Sequence, residues 1–354
     1  MALRRSSGKQ LLDTWFLVAM TAALVVAFRL TEPSWLNGNT LQAIVAQNAP
    51  LAVVAMAMTF SIISRHIDLS PGSLIALSGT VVGLVYAHTD SIALAVTAGI
   101  LAAVAAAIVN GGAVAWLGLN AIMVTLAAYI WARGLSLALS DAHPIPVGGG
   151  LPELMNATVL GFSVTAPMLL VSYVGGSYLL ARTRMGRYTY AMGGDVTGAR
   201  RAGINVAAYT ILIFGLMGLM IGVASIVLVG QLGATQPYAA TGLELDAIIA
   251  VIIGGTRLSG GDGNVGRSAL GVLFVGILNS GLLNLGLTDA YYQLYRGIAL
   301  LSVLAVQITL RRWLAEESRR RQEREQMAMV SAASSHRSFS PGEVVDASGS
   351  FLLD

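Results

Sequence analysis

The chain has 354 residues, of which 11% are charged and 55% apolar, whereas soluble chains carry about 25% charge. With a strongly positive mean hydropathy, this excludes a soluble domain and a disordered chain and leaves a polytopic membrane protein. No cysteine is present and Lys9 is the single lysine. That removes thiolate chemistry, disulfides and a phosphate-binding loop, which needs its own lysine. The four histidines, His66, His88, His143 and His336, form no H-x-x-x-H pair, so no catalytic residues and no metal site are expected.

A spanning helix needs about 20 mostly apolar residues, and ten such stretches follow in order. Leu11–Leu30 comes after Arg4, Arg5 and Lys9 as a signal peptide would, but no small-x-small cleavage site follows, so an uncleaved first span is expected. Thr40–Ile63 carries Gln47 and Asn48 ahead of Pro50, which frees backbone carbonyls nearby. The segment I-D-L-S-P-G-S then reads as a helix start, with Ser70 as cap, Pro71 in the first turn, and Asp68 near the positive helix end. Asp68 and Ser70 are candidates for a cap or a gate on the inner side.

Pro71–Ala87, Ser91–Val109 and Ala121–Leu139 are the third to fifth spans. Asn110 and Asn120 bound the last connection and Thr125 lies inside the fifth span. Ser163–Ala181 is the sixth. The loop after it holds Arg182, Arg184, Arg187, Arg200 and Arg201. There, Ala199-x-x-x-Gly203 places two small residues on one face of a short helix, which suits docking against a partner protein.

Val206–Val229 is the seventh span. Thr241 and Glu244 suggest a capping box for the eighth, Leu243–Gly255, with Asp246 adding charge in its first turn. This span is short and runs into a glycine-rich stretch at Gly254, Gly255, Gly260, Gly261, Gly263 and Gly266. A tight, irregular connection is expected there. Arg267–Leu285 carries Asn279, Ser280 and Asn284, and Tyr291–Leu310 is the tenth span. Residues 1–312 form one transmembrane domain on this reading, and 313–354 a charged, then Ser/Gly-rich tail, largely disordered.

Ten spans put both termini on one side, taken as the cytoplasm. That side then receives 18 of the 21 basic residues, the positive-inside pattern. Gln47, Asn48, Asn110, Thr125, Asn279 and Asn284 are candidate substrate-pathway residues, because polar side chains at membrane depth face a bundle interior or a water-filled path. No span is expected to hold an uncompensated carboxylate or arginine at its centre, which points away from an ion-coupled carrier.

Taken together, several segments resemble the permease subunits of ribose-, xylose- and galactose-type sugar ABC importers. These are Ile67-Asp68-Leu69-Ser70, Thr183 to Arg187, Ala191-Met192-Gly193-Gly194-Asp195, Ala202-Gly203-Ile204-Asn205-Val206, Gln236-Pro237, Glu244 to Ile248, and Ile253 to Gly263. The resemblance runs from Leu11 to about Arg312. Arg65-His66 departs from it, standing where many members have two glycines, as do Pro71, Asn120-Ala121 and Ala127.

The resemblance implies an all-α fold of the ribose/branched-chain amino acid permease type with about ten transmembrane helices in the bacterial inner membrane. It implies a second permease subunit (the same chain or a paralogue), ATPase subunits that hold ATP and Mg, and a periplasmic sugar-binding protein. The substrate would be a monosaccharide, pentose or hexose, or a polyol. This chain would bind no cofactor and no nucleic acid. The coupling helix falls at Asp195–Asn205, with Gly193, Gly194, Asp195, Ala199, Arg200, Arg201, Gly203, Ile204 and Asn205 in ATPase coupling. Thr241, Glu244 and Asp246 are left as a helix cap on the periplasmic side. Alternatives are a permease for a furanone-type signal or an amino acid, and a self-sufficient secondary carrier.

Overall fold

The computed structural model describes residues 2–303 except 34, 36, 160, 161 and 289, together with 305, 306, 309, 316 and 327. It divides into two compact units, Met1–Ile298 and Ala299–Asp354. In the second unit, residues 299–303 are helical. The expected tail, 313–354, lies outside the described residues apart from 316 and 327.

The first unit is built from helices: α1 (Ala2–Thr31), α2 (Gly38–Gln47), α3 (Ala49–Ile63), α4 (Pro71–Thr89), α5 (Ile92–Trp116), α6 (Ala121–Leu139) and the short α7 (Leu151–Asn156). A two-stranded hairpin follows, β1 (Thr158–Val159) pairing antiparallel with β2 (Phe162–Ser163). Then come α8 (Thr165–Arg182), α9 (Arg184–Gly194), α10 (Val196–Arg201), α11 (Val206–Leu232), α12 (Leu243–Ile253) and α13 (Val265–Asn284). Residues 290–298 are helical too.

Six of these helices are long and apolar enough to cross a bilayer, or seven when α2 and α3 count as one span bent by 49°. The bend falls where Asn48 caps both pieces ahead of Pro50, as the missing proline N–H requires. Among the described residues seven pass this test against the ten expected, while α8, α12 and the helix from residue 290 occupy the positions of the sixth, eighth and tenth expected spans. α12 shows the reason most clearly. Its eleven residues rise about 16 Å, roughly half the hydrocarbon thickness.

At the core is α3, buried along all fifteen residues. A helix apolar all round needs protein on every side, and α11, α12, α8 and α13 supply it. α5 and α11 approach closely through small residues. A side chain at Gly218 would meet Ala103 and Ala107, and one at Gly222 would meet Ile100, the small-x-x-x-small contact that membrane helices use for close backbone packing. α4 and α6 run parallel at a constant offset. Leu69 N–H donates to Thr125 Oγ1 (3.0 Å), and eleven residues further along each chain segment Thr80 and Ser136 hydroxyls meet at 2.8 Å.

The segment joining α3 to α4, and those around α9, α10 and the α12–α13 connection, gather Arg65, Arg200, Arg257 and Arg267 at one end, here called the basic end. At the opposite end, residues 145–147 pair with 233–235 through Val147 N–H to Gly233 O (3.0 Å) and Thr235 N–H to Ile145 O (2.9 Å).

Candidate functional site

Three motifs far apart in sequence meet at the basic end. Gly193, buried in α9, lies so close to the Ile63 carbonyl that a Cβ there would overlap it, and would stand 2.6 Å from Gly261 N. Gly261 N–H donates to that same Ile63 carbonyl (2.9 Å). Arg65 Nη2 donates to Gly194 O (2.9 Å) and Tyr190 Oη to Gly263 O (2.7 Å). Arg257 pairs with Asp262 at 3.2 Å, and Arg267 approaches it at 3.8 Å. Burial and the charge of Asp262 raise the Tyr190 phenol above its ordinary pKa, so it remains a donor. The glycine-rich stretch is thus the tight, irregular connection expected from sequence, laid against the end of α3 and against α9.

Arg65 adopts φ +67°, a left-handed conformation unfavourable for a residue with a Cβ. The two glycines common at this point in the resembling family would take it freely. Here, the bond to Gly194 and packing of the Arg65 stem against Gly260 hold it. Beside it, His66 Nδ1 meets Ser64 Oγ at 3.0 Å. Burial lowers the His66 pKa to about 4, so its ring is neutral at pH 7.

α10 stands between two side-chain caps. Asp195 Oδ1 accepts from Thr197 N–H (3.0 Å), opening α10, and Asn205 Oδ1 accepts from Ala208 N–H (3.0 Å), opening α11. Between them Gly203 sits at φ +81°, with its N–H on Arg200 O and the Ile204 N–H on Ala199 O, a left-handed helix stop. The helix covers Val196–Arg201, shorter than the expected Asp195–Asn205. Ala199 does not face a partner as the small-residue spacing suggested: it is 5% exposed and turned into its own bundle. Thr197, Arg200, Arg201 and Gly203 form the exposed face, so the free surface of the elbow is basic.

The polar residues flanking α4 and α12 differ from expectation. Ser70 takes the N-cap position of α4 with Pro71 in the first turn, as expected, but without a side-chain capping bond; its hydroxyl and N–H both turn back to Asp68 Oδ1, at 2.6 and 2.8 Å. Asp68 is fully buried, with Oδ2 unpartnered. Burial pushes its carboxyl above the usual carboxylate range, while the two Ser70 bonds pull it back. Thr241 does not cap α12. Gly242 at φ +83° takes that position without a side-chain cap, and the Thr241 hydroxyl donates to Tyr238 O.

Glu244 instead lies buried against the first turn of α4 at Gly72, where any Cβ would strike it. Arg133, inside α6, donates through Nη1 to Pro237 O and Ala239 O, at 2.6 and 2.9 Å. Asp246 is ion-paired with Arg296, whose guanidinium also lies over the Tyr292 ring. These charged side chains do not stand uncompensated at a span centre: Asp246 has Arg296, Arg133 has two backbone carbonyls, and Glu244 is in the first turn of α12. Of these, Arg133 is held by the non-helical segment between α11 and α12.

The six candidate pathway residues do not converge on one place. Gln47 and Asn284 share a cavity of about 450 Å³ with Trp35, Asn37, Thr40 and Ser280, between α2 and α13. Asn48 turns to the other side, donating to Ile44 O and packing on Gly276. Thr125 is structural, binding Leu69 N–H and Ala121 O. Asn110 and Asn279 are placed elsewhere, each with one buried side-chain atom unpartnered. Among the described residues no cluster of His, Cys, Asp and Glu is arranged to hold a metal.

Comparison with known proteins places this arrangement. The family described as branched-chain amino acid transport system / permease component matches residues 40–304. The ribose import permease protein of Escherichia coli K12 is 33% identical over 84% of the chain and 94% of its own length. The D-allose transport system permease protein of the same organism is 34% identical over 83% of the chain and 90% of its own. The L-arabinose ABC transporter permease protein of Azospirillum brasilense is 31% identical over 86% and 90%. No solved structure matches.

Proposed function

The chain belongs to the branched-chain amino acid transport system / permease component family, and from that premise we infer that it is the transmembrane subunit of an ABC importer for a monosaccharide. The observation that carries the inference is the identity of 31–34% across nearly the whole chain with permeases named for ribose, allose and arabinose. Membership makes the chain a permease component. ATP and Mg belong on a separate ATPase subunit, since the single lysine at position 9 cannot serve a phosphate loop.

The basic end faces the cytoplasm on this reading, both termini lie there, and the membrane is the inner membrane. The exposed Thr197–Gly203 elbow supports ATPase docking. It is braced on α9, whose Gly193 is wedged against the end of α3 and against the glycine-rich connection. A push on the elbow therefore reaches α3 directly, and through the connection α12 and α13. A periplasmic binding protein delivers sugar at the opposite end, and a second copy or a paralogue completes the pore.

Co-purification and reconstitution test this. The expected result is a complex with an ATPase subunit that accumulates sugar only with ATP and the binding protein present. Sugar movement by this chain alone in proteoliposomes would make it a self-sufficient carrier instead.

A further inference from the structure

We propose that a cavity at the basic end, against the α10 elbow, binds the phosphate group of a small phosphate ester. It holds about 230 Å³ and is walled by Arg65 and His66 after α3, Val114 at the end of α5, Arg200 on α10, and Val206 and Thr210 at the start of α11. Both arginines are exposed, so their guanidinium groups are open to a ligand. Arg65 uses one N–H on Gly194 O and keeps its other donors. Among the described residues the ion-paired arginines are Arg257, Arg267 and Arg296. Arg65 and Arg200 thus bring two unpaired positive charges to one cavity, and no carboxylate lines it. α11 begins at Val206, which adds the positive end of a 27-residue helix to the same wall.

The wall selects the ligand class. Two guanidinium forks and a helix N-terminus favour a doubly charged oxyanion, and the planar forks match phosphate oxygens. His66 adds no charge. Ser64 Oγ donates to Ser61 O, so the His66 Nδ1–H donates to Ser64 Oγ, and burial keeps the ring neutral at pH 7. The rest of the wall is mostly apolar, from Val114, Ala115, Val196, Val206 and Ala207, and 230 Å³ leaves room for a small organic group beside the phosphate. Arg65 is held at φ +67°, where glycine would sit without strain; an unfavourable backbone angle kept by a charged residue points to function at that position. The importer reading puts this end in the cytoplasm, where phosphoryl transfer to an imported monosaccharide would make such an ester. The assignment rests on that reading for the choice of a sugar phosphate as probe. A phospholipid headgroup offers the same phosphate chemistry from the membrane surface.

Isothermal titration calorimetry on the full-length chain in phosphatidylcholine nanodiscs, in phosphate-free buffer, tests it with D-ribose 5-phosphate and D-ribose as probes. The phosphate ester should bind saturably and D-ribose should not. Arg65→Gly removes the guanidinium and suits the left-handed backbone, and should weaken ester binding about tenfold or more, the loss of charge-assisted hydrogen bonds. Arg200→Gln, at an exposed position, should do the same and serves where Arg65→Gly does not fold. Phosphatidic acid added to the nanodiscs tests the second source. If the soluble ester does not bind but phosphatidic acid raises the melting temperature of the wild type and not of folded Arg65→Gly, the phosphate site stands and its ligand is a lipid. Ester binding that survives both substitutions, D-ribose binding as tightly as its phosphate, or a response to neither phosphate source would overturn the site. None of these outcomes touches the importer reading, which ATP-dependent sugar uptake by the complete complex judges separately.

Discussion

Adding one methyl group at Gly193 should uncouple the basic end, whereas the same change at Gly194 should be silent. A Cβ at Gly193 overlaps the Ile63 carbonyl and comes within 2.6 Å of Gly261 N. The obstacle is backbone, so no side chain can swing away. α9 must separate from α3 or the Gly261 N–H to Ile63 O bond must break. Overpacking of this kind costs about 1–3 kcal/mol and the hydrogen bond about 0.5–1.5, together about 2–4 kcal/mol. At Gly194 a Cβ meets nothing within 4 Å and φ is not in the left-handed range. Differential scanning fluorimetry of the detergent-solubilised chain should show Gly193→Ala lowered by about 5–10 °C and Gly194→Ala unchanged. In the assembled importer, Gly193→Ala should also lower binding-protein-stimulated ATP hydrolysis. Equal behaviour of the two variants would refute the idea that Gly193 is a packed junction.

Reversing charge at Arg200 and Arg201 together should lower co-purification of the ATPase subunit without lowering the melting temperature of the chain, since both side chains are exposed; pull-down from co-expressing cells measures it. Stability should fall on acidification between pH 6.5 and 4, because neutral His66, with its pKa depressed to about 4 in the folded chain, favours the fold only while the unfolded imidazole is also neutral. His66→Asn should flatten melting curves across that interval. Arg296→Met leaves Asp246 buried without its cation and should destabilise by about 3–5 kcal/mol. Combining it with Asp246→Asn should restore much of the loss in the same thermal assay.

Length and apolarity made the continuous helices legible: the expected fifth span, Ala121–Leu139, has the bounds of α6. The eighth was legible as well: the expected short span, Leu243–Gly255, starts where α12 starts and overruns its end by two residues. At Thr241 the cap position itself was misread, and at Ser70 only the partner of its hydroxyl. Each residue has the right type at the right spacing, yet the Thr241 hydroxyl goes to Tyr238 O and the Ser70 hydroxyl to Asp68, local partners that compete with the helix end. The small residue at Ala199 reads equally well as an outward docking position or as internal packing, and only the neighbouring helices decide it. Gln47 and Asn284 were visible as polar residues in apolar spans, but their meeting with Trp35 depends on the packing of α2 and α13, on which periodicity is silent. Arg65 left a trace in the sequence, since it replaces glycine in a motif otherwise retained, and its positive φ explains why glycine suits that position.

The most direct measurement is sugar uptake into proteoliposomes holding this chain and its ATPase subunit, with ATP inside and sugar-loaded binding protein outside. The account predicts accumulation of a monosaccharide that stops when the ATPase subunit or the binding protein is left out. Uptake at the same rate by the chain alone, or accumulation of a branched-chain amino acid in place of sugar, would contradict it.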